Sequence, residues 1–396
     1  MERIEGARQC YDWGSTTAIP DFLGRQGDGG PWAELWLGAH PCGTARLGDG
    51  TTLTTFIDSA PDLVLGEDVV RRFGPQLPFL LKVIAPAQAL SLQVHPSLSQ
   101  AAEGYEAEEA AGIALEDPRR NFRDTNHKPE MVLALEPFEA VAGFRAPRRA
   151  AEVLAGLESP LARRMRRTLR LNPTRFGIRQ AFTDLVSAET RPGPHEVAAL
   201  VEEIAARLKA GASPSLRVDT NAVEMARTFP ADPGVVAALL LNPVTLNPGE
   251  ALFVPAGCVH AYISGLGVEI MASSDNVLRA GLTRKHVDIP RMLACVDYVA
   301  APPVRPAPEY LSRATRAYYA PVDDFELMVT TVVPEDGRIQ VPGRGPRILL
   351  GVEGRTLVTT PAGQLSLERG QSVFVTAQER TLAVEGAGSL VQADVP

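Results

Sequence analysis

The 396-residue sequence has few cysteines, few aromatic residues and no long apolar run. Its four cysteines show no C-x-x-C pairing and are too few for a disulfide framework in a chain of this length, so we expect reduced and mostly buried thiols: Cys10, Cys42, Cys258 and Cys295. No stretch approaches the ~18 consecutive apolar residues of a membrane-spanning helix. The N-terminal segment MERIEGARQC carries charges where a signal peptide needs an apolar run. These absences favour a cytoplasmic protein.

The chain also lacks an excess of positive charge. Its 39 basic and 47 acidic residues give a formal net charge of −8, which argues against a nucleic acid or an anionic membrane surface as partner. An anionic small molecule would therefore need a local cationic patch. We expect the protein to be a monomer or a weak homo-oligomer, with neither a nucleic acid nor a membrane as partner. No histidine follows His286, so the last part of the chain cannot repeat any histidine-based chemistry.

Glycine and proline are plentiful, with 34 and 33 residues, and this composition favours many short strands and turns. Residues 147–241 differ, because Val197, Leu200 and Ile204 follow helical spacing in a segment that stops at Gly211. We therefore predict a mainly β protein with an inserted helical domain. The chain is long enough for two or three domains.

The domain limits follow from these changes in pattern. Residues 1–146 and 242–300 are predicted to form one β-rich domain around the helical insertion at 147–241. The proline-rich segment Ala301–Pro308 has no apolar periodicity and is the best linker candidate. Residues 309–396 then form a second β-rich domain, and from Tyr318 onward we expect a run of short strands separated by glycines.

The segment from Leu90 to Val94 alternates strictly between apolar and polar residues, which is typical of a strand with two different faces. Gln93 and His95 then project from the same side, about 6.5 to 7 Å apart by backbone rise, which suits two ligands of one ion. Lys128 precedes Pro129 and is biased toward an extended conformation, so Lys128 and Glu130 share a face. His127, of opposite parity, should point away from them.

A third polar strand lies further along the chain, where His260 and Tyr262 share a face. Metal ions in proteins are held by imidazoles, carboxylates and amide oxygens that converge from rigid strands. Two nitrogens and two oxygens would come from Gln93, His95, Glu130 and His260. This mixture suits Zn²⁺ but also Mn²⁺, Fe²⁺ or Co²⁺, and isolated strand histidines are more often structural residues than ligands.

Two further features allow either a structural or a functional interpretation. Lys82 interrupts the apolar run LPFLLKVI, and its ammonium group must reach a carboxylate, a ligand or solvent. All three tryptophans lie within the first 60 residues, in YDWGS and PWAELWLGAHP, where they could form core packing or the wall of a polar pocket.

Several long segments resemble the signature segments of type I mannose-6-phosphate isomerases. They are YDWGS, AELWLGAHP, LPFLLKVIAPAQALSLQVHP, NHKPEM and HAYISGLGVEIMASSDNVLRAGLTRKHVD, in the order and spacing of that family, over residues 11–288. The resemblance implies a metal-binding cupin (jelly-roll) barrel, an inserted helical domain and a second cupin-like barrel without metal. It also implies interconversion of D-mannose 6-phosphate and D-fructose 6-phosphate through an enediol.

The same resemblance implies a role for individual residues. One Zn²⁺ per chain, or another divalent transition metal, would be held by Gln93, His95, Glu130 and His260. Arg279 would be the catalytic arginine, with Lys285 beside it near the phosphate. The sugar site would be lined by Lys82, Ser91, Lys128, Tyr262, Glu269 and Asp275. Arg284 departs from the family pattern, which commonly has proline there, so a second guanidinium could share or displace the phosphate contact of Lys285.

The chemistry of these residues leaves the general base open. Moving a proton between C1 and C2 builds negative charge on the sugar oxygens, and Arg279 is always protonated, so we assign it charge stabilisation. Glu269 is the first candidate base, a hydroxide on the metal the second and Lys128 with a lowered pKa the third. Glu269 could instead only hold Lys128 or a ligand histidine in place.

Three rival functions share the same residue types. An Fe²⁺ oxygenase would need a facial set of two histidines and one carboxylate, with Gln93 not a ligand. An isomerase of another sugar phosphate would keep the whole site. A sugar-phosphate sensor would keep the barrel and bind without turnover.

Overall fold

The computed structural model describes residues 1–396 and is mainly antiparallel β-sheet with helices, as the sequence predicts. The strands are β1 (Glu2–Glu5), β2 (Ala7–Gln9), β3 (Glu34–Leu37), β4 (Ala39–His40), β5 (Gly43–Thr44), β6 (Arg46–Leu47), β7 (Phe79–Ile84), β8 (Leu92–Val94), β9 (Glu130–Ala134), β10 (Phe138–Phe144), β11 (Leu241–Leu246), β12 (Ala251–Val254), β13 (His260–Ser264), β14 (Gly267–Ala272), β15 (Leu278–Gly281), β16 (Glu309–Tyr310), β17 (Thr315–Tyr318), β18 (Glu326–Val332), β19 (Ile339–Val341), β20 (Arg347–Thr360), β21 (Gly363–Glu368), β22 (Ser372–Val375) and β23 (Leu382–Asp394).

The helices are α1 (Ala18–Phe22), α2 (Leu53–Ser59), α3 (Pro61–Val64), α4 (Glu67–Phe73), α5 (Leu98–Ala110), α6 (Pro147–Val153), α7 (Pro160–Leu171), α8 (Arg175–Val186), α9 (Pro194–Lys209), α10 (Leu216–Thr228), α11 (Pro233–Ala237) and α12 (Ile289–Cys295). Short 3₁₀ turns occupy Ala238–Leu240 and Pro334–Asp336. None of these helices is long and apolar enough to cross a bilayer.

Two antiparallel sheets carry the predicted site residues. One has the strand order β11-β10-β13-β8-β15 and the other β12-β9-β14-β7-β3-β2. In the first sheet Gln93 lies opposite both His260 and Arg279 on the neighbouring strands. In the second sheet Lys82 lies opposite both Glu269 and Trp36. The registers therefore bring residues that are remote in sequence side by side, because cross-strand partners lie about 4.5 to 5.5 Å apart.

Apolar residues from both sheets pack between them and fix their relative position. This core includes Ile84 and Val132 from the second sheet, and Phe138, Val244 and Tyr262 from the first. The site residues lie beside this core. Because the side chains around them are tightly packed, the polar groups are removed from bulk water and their charges interact strongly.

The helices α6 to α11 are inserted between β10 and β11, as the helical spacing predicts. Their apolar faces share one core with the outer side of the first sheet, where Leu92, Phe144, Leu154, Phe182 and Leu278 meet. Helix α9 stops just before Gly211, whose φ of +67° only glycine adopts easily. The insertion therefore supports the sheet that carries the candidate metal ligands.

A third, ten-stranded sheet contains most of the chain after Tyr310, and it also includes β1 and β6 from the N-terminal part. The prediction of only short strands here is wrong, since β20 has 14 residues and β23 has 13. Glycines that suggest breaks lie inside these strands. A Cβ on Gly354 would come within 2.2 Å of the Ala387 carbonyl oxygen, so this glycine allows close approach of two paired strands.

The prediction that most thiols are buried is also wrong. All four cysteines are free, but only Cys295 is buried, while Cys10 and Cys42 are exposed. The difference follows from local structure, because Cys10 lies in the loop between β2 and α1 and Cys42 in the turn between β4 and β5, and neither belongs to an element that faces a core.

Candidate active site and metal centre

Two histidines and one glutamate converge between the two sheets. Glu130 begins β9, His260 begins β13 and His95 directly follows β8. The Nε2 atom of His95 lies 3.4 Å from Glu130 Oε1, and Nε2 of His260 lies 3.3 Å from Glu130 Oε2. All three side chains are buried, and His95 is completely inaccessible at 0% exposure. The arrangement offers three ligand atoms within reach of one ion.

The hydrogen bonds of the two histidines decide what can lie between them and Glu130. His95 Nδ1 is 2.8 Å from the Asn276 carbonyl oxygen, and His260 Nδ1 is 3.1 Å from that of Cys258. Because a carbonyl oxygen only accepts, both Nδ1 atoms donate and both Nε2 atoms present lone pairs toward the carboxylate.

Lone pairs on both sides of a 3.3 to 3.4 Å gap repel unless a cation lies between them. His95 Nε2 is buried without a hydrogen-bond partner. A proton does not fill the gap readily, since burial lowers the pKa of His95 to about 4. Two neutral imidazoles oriented by backbone carbonyls and one carboxylate form a donor set that fits a divalent metal ion, including Zn²⁺.

Gln93 lies between the metal-binding cluster and Arg279. Its position opposite His260 and Arg279 follows from the strand register. The side-chain Nε2 of Gln93 donates to Ser91 Oγ at 3.2 Å. This bond orients the amide and leaves its oxygen available as a ligand, because an amide oxygen accepts while the nitrogen donates. Ser91 is thereby placed beside the predicted ligands.

Lys128 lies directly against the carboxylate of the cluster. Its buried Nζ donates to Glu130 Oε1 at 2.5 Å. Burial opposes the ionisation of Glu130, but the positive charge of Lys128 outweighs it and lowers the Glu130 pKa well below its usual range. Lys128 therefore helps to keep Glu130 negatively charged. His127 points the other way, as its strand parity predicts, and its Nε2 is 2.9 Å from Asp324 Oδ2.

Lys82 is buried, with 5% of its surface exposed, and does not reach solvent. Its Nζ donates to Glu269 Oε2 at 3.1 Å and lies 3.7 Å from Glu34 Oε1. Burial opposes the charge, but the carboxylates of Glu269 and Glu34 outweigh it and raise the Lys82 pKa. Trp36 lies beside Lys82 and Glu34. Its indole N–H donates to Glu34 at 2.5 Å, and its ring centroid is 5.4 Å from Lys82 Nζ.

Glu269 is a buried carboxyl group that is 2% exposed. It hydrogen-bonds to Lys82, whereas the sequence suggested Lys128 or a ligand histidine as the group it could hold. Burial and the charges of Glu130 and Glu34 raise the Glu269 pKa, which makes it a stronger base than an exposed carboxylate. Nearby, the Tyr262 hydroxyl is buried without a hydrogen-bond partner. Burial, followed by Glu269, raises the Tyr262 pKa well above its usual value.

A cluster of positive charges forms one rim of the site. Burial and the charge of Arg123 lower the pKa of Arg279. Partial burial of the Lys285 ammonium group, together with the charges of Arg279 and Arg123, lowers the pKa of Lys285. These three side chains form no salt bridge, so their mutual repulsion is not offset by a protein carboxylate. Lys285 is exposed, with Nζ 5.7 Å from the Tyr11 ring centroid. An anion is the natural partner of such a rim.

Asp275 lies in the turn before β15. It accepts a hydrogen bond from Cys42 Sγ at 3.0 Å, and its Oδ1 is 3.6 Å from His40 Nε2. Its own backbone N–H donates to Asp124 at 2.8 Å. The structure thus places Asp275 beside Cys42, His40 and Asp124.

Three residues next to the predicted site residues were not predicted from the sequence. Glu34 shares a strand face with Trp36, and this parity signal could have identified it. Asn276 orients His95 through its backbone oxygen, which no side-chain pattern reveals. Arg123 follows no periodic pattern either.

A mainly antiparallel β fold, a buried His-Glu-His cluster suited to a metal ion and an unneutralised cationic rim define a metal-dependent enzyme with an anionic substrate. Comparison with known proteins identifies the family. A family model described as phosphomannose isomerase type I, catalytic domain, matches residues 1–147. The mannose-6-phosphate isomerase of Escherichia coli (strain K12) is 36% identical over 406 aligned residues, covering 99% of each chain. The human enzyme is 32% identical and covers 94% of this chain and 92% of its own.

Solved structures agree. A crystal structure of mannose 6-phosphate isomerase bound with zinc and yttrium superposes with a TM-score of 0.90 at 34% identity, covering 100% of this chain and 99% of that one. The apo form from Salmonella typhimurium gives a TM-score of 0.89 at 35% identity with the same coverage. The chain belongs to the type I mannose-6-phosphate isomerase family.

Proposed function

We propose that this enzyme interconverts D-mannose 6-phosphate and D-fructose 6-phosphate with one Zn²⁺ per chain. The observation that carries the proposal is the buried cluster of His95, Glu130 and His260, whose two Nε2 lone pairs face a carboxylate in a chain similar along its whole length to mannose-6-phosphate isomerases. The comparisons do not favour an oxygenase, a sensor or an isomerase of another substrate.

Four residues would hold the metal: Gln93, His95, Glu130 and His260. When bound, Zn²⁺ supplies a Lewis acid that stabilises negative charge on the sugar oxygens next to C1 and C2. The chain's own residues prepare this site in advance. Backbone carbonyls fix both histidine tautomers, Ser91 orients the Gln93 amide and Lys128 holds Glu130, so that little reorganisation is needed on binding.

The reaction breaks a C–H bond at C2 of the open-chain aldose and forms one at C1. We assign proton removal to Glu269, because its pKa is raised by burial and Lys82 fixes its orientation. The electron pair of the broken C–H bond forms the C1–C2 double bond of the enediol, and the aldehyde oxygen takes up a proton. Loss of the proton on O2 and return of a proton to C1 complete the ketose.

Arg279 remains protonated throughout and stabilises charge on the enediol oxygens as it develops. The Tyr262 hydroxyl has no partner within the protein and is free to donate to a sugar oxygen. We assign Asp275 to the sugar hydroxyl groups. Lys285 extends from the exposed rim beside Arg279, and we assign Lys285 to the phosphate, with Arg123 as an additional positive charge that the sequence did not suggest.

We propose two cupin-like barrels within the observed β architecture, one formed by residues 1–146 and 242–300 and one by 309–396, with 147–241 as the helical domain. The two sheets that share one core support the first barrel. The similar segments LNPGEALFVPA and LERGQSVFVTA support an internal repeat. In both, a glycine with positive φ, Gly249 at +85° and Gly370 at +80°, precedes a short buried strand. Strand β1 pairs with β22 and so ties the first barrel to the second.

We also propose that the enzyme acts in the cytoplasm as a monomer or weak homo-oligomer, without a nucleic-acid or membrane partner. The net charge of −8 argues against a nucleic acid or an anionic membrane surface as partner.

A coupled assay tests the function directly. The zinc-loaded protein is given mannose 6-phosphate, glucose 6-phosphate and a pentose phosphate in parallel, and formation of the corresponding ketose phosphate is followed in each reaction. We expect turnover with mannose 6-phosphate and the reverse reaction with fructose 6-phosphate. Tight binding of mannose 6-phosphate without product would support the sensor instead, and oxygen uptake would support an oxygenase.

A further inference from the structure

A second group of metal-ligating side chains lies outside the His95 centre. His40 ends β4, Cys42 follows in the next turn and Asp275 reaches them from the loop before β15. One ligand atom from each lies within 4.8 Å of the other two. None of them belongs to the first cluster.

We propose that His40, Cys42 and Asp275 form a second metal site, selective for thiophilic divalent cations such as Zn²⁺ and Cd²⁺, and that its occupancy inhibits turnover. The inhibitory part rests on the proposed sugar contact of Asp275, since a metal-bound carboxylate cannot hold a sugar hydroxyl in the same way. The binding part does not depend on the function. Solvent molecules would complete the coordination on the exposed Cys42 side.

The distances suit such an ion. A tetrahedral Zn²⁺ with Zn–S of about 2.3 Å and Zn–N or Zn–O of about 2.0 to 2.1 Å places its ligand atoms roughly 3.3 to 3.6 Å apart. His40 Nε2 lies 3.6 Å from Asp275 Oδ1, which fits this range. Cys42 Sγ lies 3.0 Å from Asp275 Oδ2 while its S–H donates a hydrogen bond, so the sulfur moves outward slightly when the thiolate binds the metal. His40 is buried at 3% exposure and packs against the Trp36 ring with centroids 5.0 Å apart, so one ligand is already rigid.

Metal binding at this site displaces protons in a defined way. The S–H bond of Cys42 breaks, a metal–sulfur bond forms and the proton passes to solvent. His40 Nδ1 now accepts a long hydrogen bond of 3.2 Å from the Cys42 backbone N–H, so Nε2 carries the ring proton. Ligation through Nε2 moves this proton to Nδ1 and ends that bond, which the exposed Pro41–Cys42 turn can accommodate by rotation.

Cadmium is the sharpest probe, because only a sulfur ligand gives the ultraviolet thiolate-to-cadmium absorption band and the first centre contains no sulfur. The holoenzyme with one equivalent of zinc is titrated with Cd²⁺ alone, and band intensity, bound metal by equilibrium dialysis and turnover are recorded together. We expect one further equivalent to bind, with the band, and turnover to fall at least tenfold.

Two serine variants separate this site from other thiols. In Cys42→Ser, addition of cadmium should neither produce the absorption band nor lower turnover. Both are measured relative to the same variant before cadmium is added. The matched control is Cys10→Ser, which removes the other exposed thiol and should keep both. A band that persists in Cys42→Ser, or no second equivalent in the unaltered enzyme, overturns the site. Binding of a second equivalent with undiminished turnover overturns the inhibitory role alone. If the enzyme had no isomerase activity, the cadmium–thiolate absorption band would still test whether a metal binds at Cys42.

Discussion

Replacing Lys82 by methionine tests the electrostatics of the site most fully. Lys82 is buried at 5% exposure between Glu269 and Glu34, which are 2% and 6% exposed. Methionine keeps most of the volume but leaves two buried carboxylates without their cation. Removal of one partner of a buried ion pair costs about 3–5 kcal/mol, so we expect a loss of unfolding free energy of this size.

The same substitution should change the pH dependence of turnover. The Lys82 charge favours the ionised form of Glu269, so its removal raises the Glu269 pKa further. If ionised Glu269 is the base, the acid limb of the kcat/KM profile moves to higher pH, and activity at low pH falls more than activity at high pH. Urea unfolding and the pH profile are measured on zinc-loaded protein.

Lys285→Met is the matched control, because Lys285 is exposed and forms no salt bridge. It should raise KM for the sugar phosphate but leave the unfolding free energy within about 0.5 kcal/mol, as is usual for surface substitutions. A Lys82→Met protein with unchanged stability and an unmoved acid limb would refute the account of this buried pair.

Other substitutions separate the remaining roles. Glu269→Gln should lower kcat by about 10²–10⁴ while the bound zinc is retained, and a near-normal kcat would remove Glu269 as the base. Arg279→Ala should lower kcat by about 10²–10³ with unchanged metal content, and a normal rate would exclude it from charge stabilisation. Lys128→Met should weaken zinc retention, because it removes the hydrogen bond to Glu130, and equal retention in dialysis against a chelator would contradict this role.

Local sequence pattern predicted much of this structure. The opposite parity of His127 and Glu130 predicted that His127 points away from the cluster, and helical spacing located the insertion. These features depend on side chains that are close in sequence. The long motifs identified the protein family. Strand parity alone could not do so, because a histidine in a strand has many possible roles.

The remaining features depend on pairing between distant segments. The neighbours of Lys82 follow from the register of β7 with β3 and β14, and the sequence of β7 does not determine which carboxylate lies opposite. The pairing of β1 with β22 is equally non-local. Long strands β20 and β23 were missed because glycine usually marks a turn, whereas here it permits close strand contact.

Zinc titration of metal-free protein tests the central claim most directly. Turnover of mannose 6-phosphate should rise linearly to a maximum at one equivalent. A His95→Asn variant, which retains the fold if its circular dichroism is unchanged, should fail to retain that zinc on dialysis. Full turnover in metal-free protein, or a tightly held first equivalent in the folded His95→Asn variant, would contradict a catalytic metal held by this cluster.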